Sequence, residues 1–176
     1  MYRVKEKVAN SMVMFFLASV IGWIWEEVFT LYRYHIFTNR GFLHGPWLPI
    51  YGTGFLLILF LKRYVGESPI MLFIWIVIVC GCLEYYTSAL LEVMYHTRWW
   101  NYRDEVWNIK ERVCFKSLLL FGIVGNITAY IIIPYLDKSM RKIKYSRKKV
   151  LLIIIISIFM MDVICSIYNP NMKIGN

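Results

Sequence analysis

Five carboxylates, Glu26, Glu27, Glu84, Glu92 and Asp162, lie inside stretches otherwise apolar enough for lipid. An ionised acid at mid-bilayer costs about 2.5–3.5 kcal/mol on insertion scales, so such residues face protein interior or water and are candidates for ligand binding. Glu84, Ser88 and Glu92 recur at i, i+4 and i+8, with Tyr85 and Tyr95 alongside. On a helix that spacing draws a polar stripe, with Glu84 and Glu92 about 12 Å apart along the axis and about 80° apart around it. Glu26 and Glu27 point about 100° apart, so only one of them faces a bundle centre.

Two aromatic, polar loops accompany these acids. The first runs Asn39-Arg40-Gly41-Phe42-Leu43-His44-Gly45-Pro46-Trp47-Leu48-Pro49-Ile50-Tyr51-Gly52, and the second Arg98-Trp99-Trp100-Asn101-Tyr102-Arg103, with Asn108 and Arg112 beyond it. The glycines and prolines of the first are turn chemistry inside an apolar stretch. Such backbone is tolerated at membrane depth only where protein or a water-filled cavity satisfies its polar groups. The pattern predicts a broken or re-entrant segment before the second span, lining a cup that opens to the outer face. The predicted binding residues are Glu26, Glu84 and Glu92 for negative charge, Arg40 and Arg112 to pair or gate, and Tyr51, Trp99 and Trp100 to stack. The plainer alternative stays open: Glu26–Arg40 and Glu92–Arg98 pairs that only hold the fold, with Trp99 and Trp100 as interfacial belt residues. Asp162 either joins the cup or snorkels. Isolated His44 and His96 read as solvated or hydrogen-bonded groups, and no catalytic residue or metal set is assigned.

The elements that must position these groups follow from hydropathy. Hydrophobic residues make up 59% of the 176, charged residues 18%, and mean hydropathy is +0.54. That composition excludes a disordered chain, a disulfide scaffold and an ordinary cytosolic enzyme. It predicts an all-α polytopic membrane bundle, a single integral domain over residues 1–176 with about five spans at 8–33, 47–62, 69–95, 115–136 and 150–168. The apolar run after Arg3, Lys5 and Lys7 is too long for a signal-peptide core and reads as a retained first helix. Twelve of the 20 Lys and Arg fall in segments that are inner if the N-terminus is inside, seven of them between Asp137 and Lys149. This predicts an inside N-terminus, and it makes the basic segment a lipid-anchoring loop. The net charge of +9 is read as topology and lipid contact, so nucleic acid is not an expected partner. Cys80 and Cys82 point about 200° apart on a helix and cannot pair with each other; a Cys114–Cys165 pairing is left open. Gly122 and Gly125 allow close helix approach, with Asn126 available for an interhelical hydrogen bond.

The motifs resemble those of the bacterial putative ABC-transporter type IV family of permease-like membrane proteins. The likeness rests on Asn-Arg-Gly-Phe-x-x-Gly-Pro-x-x-Pro-Ile-Tyr-Gly at 39–52, Gly-Trp-x-x-Glu at 22–26, Leu-Glu-Tyr at 83–85, Trp-Trp-x-Tyr at 99–102, Asn108 and Arg112. It covers about residues 20–125. The chain departs from the family pattern where Trp-Trp-Asp-Tyr-Ser becomes Trp99-Trp100-Asn101-Tyr102-Arg103, and where Asn-x-x-Gly-Arg becomes Asn108-Ile109-Lys110-Glu111-Arg112. The resemblance implies a bacterial inner-membrane protein with permease-like function. The chain has no Gly-x-x-x-x-Gly-Lys-Ser/Thr loop, so an ATPase would be a separate subunit.

The leading expectation is binding or transport of a small solute or lipid headgroup, without a cofactor. Membrane lipids, a second copy or partner membrane protein, and a separate ATPase subunit are the expected partners. The rival readings are a membrane-embedded enzyme acting on a lipid or isoprenoid, and a ligand-free accessory subunit.

Overall fold

The computed structural model describes residues 2–172, with side chains from Val4 onward; the Arg3 charge counted above lies outside the described side chains. The chain forms α1 (Tyr2–Tyr34), α2 (Pro49–Val65), α3 (Pro69–Tyr95), β1 (Asn108–Ile109), β2 (Val113–Cys114), α4 (Phe115–Ile127), a π-helical turn (Thr128–Ile132), α5 (Ile133–Arg141) and α6 (Tyr145–Tyr168). Apart from the small β1–β2 hairpin, the regular structure of the described residues is helical. Four stretches are long and apolar enough to cross a membrane: Val4–Tyr34, Pro69–Tyr95, Phe115–Arg141 and Tyr145–Tyr168. The 17-residue α2 rises about 26 Å and sits at the short end of that range. Both ends of α3 are marked by local chemistry. Ser68 caps the start, accepting from the Met71 N–H at 3.4 Å, Pro69 opens the first turn, and His96 closes the helix in a left-handed conformation.

The chain divides into two compact units, one of residues 1–52 with 136–176 and one of residues 53–135. In the first unit, α1 and α6 run side by side in parallel. Phe159 of α6 meets the Phe15 and Phe16 rings edge-on at 6.4 and 5.3 Å, and Ala9, Phe16 and Leu152 form a buried core. At the start of α6, Lys148 is only 1% exposed. Its ammonium donates to Asn10 Oδ1 at 2.6 Å and to the Met140 carbonyl at 3.1 Å, with Glu6 at 3.5 Å. The basic segment is therefore not a uniform lipid-facing loop. Helix continues through α5 to Arg141 and resumes at Tyr145, and one of the seven cations is a buried clasp.

In the second unit, α3 and α4 are antiparallel. Gly122 lies against Phe73 and Gly125 against Ile76. A Cβ at these positions would come within 2.3 and 2.8 Å of those side chains, so the close approach expected of the two glycines is what packs this pair. Asn126 does not bond between helices as expected: its amide donates back to the Gly122 carbonyl of its own helix at 3.2 Å. The π-helical turn widens the ladder. Lys62 from α2 donates to the Ala129 carbonyl at 2.9 Å, and its ammonium stands 3.7 Å from the Tyr130 ring centroid.

Candidate functional site

Each unit holds a polar cluster in which span carboxylates grip a loop. In the first unit the loop is the Gly/Pro-rich stretch between α1 and α2, and its backbone is satisfied by protein groups. Glu27, buried on α1, accepts from the Thr38 N–H at 3.3 Å and from the Arg40 N–H. Asp162 on α6 accepts from the His44 N–H at 3.0 Å, the Gly45 N–H at 2.9 Å, the Trp47 indole at 2.6 Å and the Ser166 hydroxyl at 3.2 Å. The carbonyls of the same loop point the other way. Asn171 donates to Asn39, Gly41 and Leu43 at 2.6, 3.1 and 3.3 Å. Asn39 in turn accepts from the Trp23 indole and donates to the His44 carbonyl. This is the satisfied, non-helical backbone that membrane depth requires.

Three of the predicted binding residues lie in this unit. Tyr51 donates its hydroxyl to Glu26, and its ring reaches α1 because Gly22 has no Cβ; one there would lie 2.2 Å from the ring. Arg40 engages Glu27 through its backbone N–H, while its guanidinium Nε donates to the buried Thr30 hydroxyl at 2.9 Å. Of the two adjacent acids, Glu27 is the more deeply buried and grips the loop; the sequence reading chose Glu26 for the site and for a pair with Arg40, whereas Glu26 accepts from Tyr51 and the Arg40 guanidinium turns to Thr30.

In the second unit the grip is ionic. Arg98 donates to Glu92 at 2.8 Å and to Glu111 at 2.9 Å. Arg112, whose side chain is 13% exposed, donates to Glu92 and to the Ser88 hydroxyl, the latter at 3.1 Å, and its guanidinium lies 5.8 Å from the Tyr85 ring centroid. The hydrogen bond to Glu92 raises the Arg98 pKa above its ordinary value, and the nearby Glu92 and Glu111 charges add to this against the opposing effect of desolvation. Deeper along α3, Glu84 accepts from the Tyr102 hydroxyl at 2.8 Å and the Ser117 hydroxyl at 3.4 Å. Ser117 also closes a reciprocal cap with Cys114 at the start of α4, so the Glu84 carboxyl group sits by a helix N-terminus. Trp99 is buried edge-on against Tyr95 at 5.9 Å, and the Trp100 indole donates to the Arg112 carbonyl at 3.0 Å.

The polar stripe Glu84–Ser88–Glu92 is therefore real, and the second unit gathers it with Arg98, Arg112, Trp99 and Trp100. Two departures from the family pattern meet here. Arg103 pairs with Glu111 at 3.2 Å, and Glu111 stands at a left-handed φ of 61°. The gained cation is thus matched by a gained acid. Sequence reading missed Tyr102, Ser117, Glu111 and Asn171 as partners, and it left Asp162 undecided. The Tyr in Trp-Trp-x-Tyr was a usable signal for Tyr102; Asn171, past the last span, offered none. Among the described residues no group of three or more His, Cys, Asp or Glu could hold a metal, and the four cysteines are free thiols.

Span-length apolar helices with internally satisfied loops define a multi-pass membrane protein. The model of the family described as "Putative ABC-transporter type IV" matches residues 13–167, most of the chain. The chain belongs to that family, and is a membrane protein of a transport-related class. No curated protein and no solved structure matches it.

Proposed function

We propose that this protein is a permease-like component of the bacterial inner membrane, with its N-terminus inside. It binds a small polar or cationic solute, or a lipid headgroup, at the acid and aromatic groups facing outward. The observation that carries this reading is the graded stripe on α3. The Glu92 side chain is 30% exposed, whereas Glu84, about 12 Å along the axis, is 6% exposed. Polar groups lead from an accessible edge to a buried carboxylate, which is what a solute leaving water needs. Glu84, Glu92 and Arg112 recognise charge, and Trp99 and Trp100 wall the stripe. Glu26, Arg40 and Tyr51 form the matching acid, base and aromatic set of the first unit. Energy from ATP enters through a separate subunit, and a second copy or another membrane protein completes the assembly.

The test is a thermal-shift screen of purified protein against quaternary amines, polyamines, amino acids and glycerophosphodiester headgroups, followed by uptake of any hit into right-side-out membrane vesicles from cells that express the chain together with its partner subunits. Glu84→Gln should lower uptake about tenfold, the equivalent of one charge-assisted hydrogen bond, with membrane insertion unchanged. Undiminished uptake in both Glu84→Gln and Arg112→Gln would remove the site assignment. A second reading is a ligand-free accessory subunit. The donors already satisfying Glu27, Glu92 and Asp162 from within the chain favour it, and a screen with no hit at all would bring it forward.

A further inference from the structure

The hairpin that carries Arg112 in its turn has, on β1 and at its open end beside the start of α4, an apolar patch that the polar cluster does not use. Val106, Trp107 and Ile109 are 76%, 75% and 56% exposed. Trp107 sits at a φ of 56°, a left-handed conformation uncommon for a bulky side chain, so the backbone is strained while the indole stands outside the fold. The open end, and the patch with it, is tied to the start of a span. The Phe115 N–H donates to the Trp107 carbonyl at 3.1 Å, and the two rings meet edge-on at 5.4 Å. Phe115 opens α4, and Phe115, Leu119, Leu120 and Ile123 are exposed apolar residues of that same span. The patch therefore continues the exposed apolar side of α4 at the end of the helix, where hydrocarbon gives way to headgroups. An indole, apolar in body with one N–H donor, favours that layer. Charge supplies little of the attraction, because Arg103 is paired with Glu111, Lys116 lies 3.7 Å from Glu105, and the exposed Lys110 beside the patch is offset by the exposed Asp104 of the same loop.

We propose that Val106, Trp107 and Ile109 seat the hairpin in the headgroup layer of the bilayer, so that lipid is the occupant of this face. The seat holds the hairpin, and with it the Arg112 contacts to Glu92 and Ser88, at the membrane surface. It rests on α4 spanning a bilayer and not on any solute being bound, so it stands or falls separately from the uptake experiment.

The test uses the full chain in nanodiscs and takes the fluorescence difference between wild type and Trp107→Phe as the Trp107 signal. Lipids brominated near the headgroup should quench that signal about twofold, and lipids brominated near the chain end much less, as expected of an interfacial indole. Aqueous iodide should leave it largely unquenched. Zwitterionic and anionic nanodiscs should give the same result. Iodide quenching without bromolipid quenching would overturn the proposal. So would protection from both quenchers, which would mean that a second copy or another protein covers the patch, and so would bromolipid quenching confined to anionic nanodiscs. Hydrogen exchange of residues 106–114, slower in nanodiscs than in detergent for wild type but not for Trp107→Asp, provides a second readout that does not depend on tryptophan emission.

Discussion

The two units solve one problem in different ways. Both must hold an irregular loop against membrane helices, and both use carboxylates placed on those helices. In the first unit the acids face neutral donors: Thr38 and Arg40 main-chain N–H groups on Glu27, and His44, Gly45 and Trp47 on Asp162. In the second, Glu92 and Glu111 face guanidinium groups from Arg98, Arg103 and Arg112. The first arrangement satisfies a backbone that has no ladder of its own, and it leaves the negative charge of each acid uncancelled by a cation in those contacts. The second cancels charge and gives little to the backbone. The loop sequences follow suit. Glycine and proline dominate where main-chain groups must be brought to a carboxylate, and arginine dominates where side chains reach it.

If that distinction is right, the largest single effect lies in the first unit. Asp162→Ala removes one acceptor from three donors of the loop at once. Each partly buried donor left unmet costs on the order of 1 kcal/mol, and the His44 N–H, being exposed, can turn to water, so a loss of about 2 kcal/mol is expected. Limited proteolysis should then cut between residues 35 and 48, with the 96–114 loop still protected. Asp162→Asn should recover less than half, because its amide presents N–H groups to donors. Wild-type protection of the first loop in Asp162→Ala would show that Asn171 and Glu27 suffice to hold it.

A smaller effect is expected from Arg112→Lys in the second unit. Lysine keeps the charge but loses the planar fork that reaches Glu92 and Ser88 together. About 1 kcal/mol of local stability should go, seen as faster hydrogen exchange of residues 108–114. Arg98→Lys should do less, because that guanidinium is more exposed than Arg112 and makes its bonds in better-hydrated surroundings. Equal effects would mean that charge alone, not the fork, holds the hairpin.

What the sequence disclosed follows the same division. The helices were legible from hydropathy, whereas the caps of α3 at Ser68 and His96 came from the structure. The Glu84–Ser88–Glu92 stripe was legible because a helix turns spacing into a face, and Arg98 and Arg112 were visible partners because a guanidinium in a span-end loop has few other uses. The grip of Asp162 was not legible. Its loop partners lie more than 100 residues away, and two of the three are main-chain N–H groups, which every residue but proline carries. Lys148 was hidden for the opposite reason. Seven cations in one short segment look alike, and only tertiary contact with Asn10 and Glu6 distinguishes the buried one. The π-helical turn in the Phe115–Arg141 span has one mark in the apolar run, Pro134 just beyond it, which has no N–H for the Tyr130 carbonyl four residues back.

The smallest predicted effect is the sharpest discriminator between the two kinds of grip. Raising sodium chloride from about 10 mM to about 1 M shortens the Debye length from roughly 30 to 3 Å. The second-unit pairs are partly exposed, with Arg98 and Glu111 side chains near 30% and Arg103 at 73%, so screening reaches them. Exchange of hairpin amides should rise about two- to threefold over that range. The Asp162 and Glu27 bonds pair one charge with neutral dipoles, which screening weakens far less, so exchange in residues 36–47 should stay level. Loss of the Arg98 charge cannot produce the difference, because Glu92 holds its pKa above an already high ordinary value; its stabilising contribution is complete below the ordinary arginine pKa and declines only at still higher pH. Loops that loosen together with salt would mean that the first unit also depends on ionic pairing, and the contrast between the units would be one of sequence and not of physics.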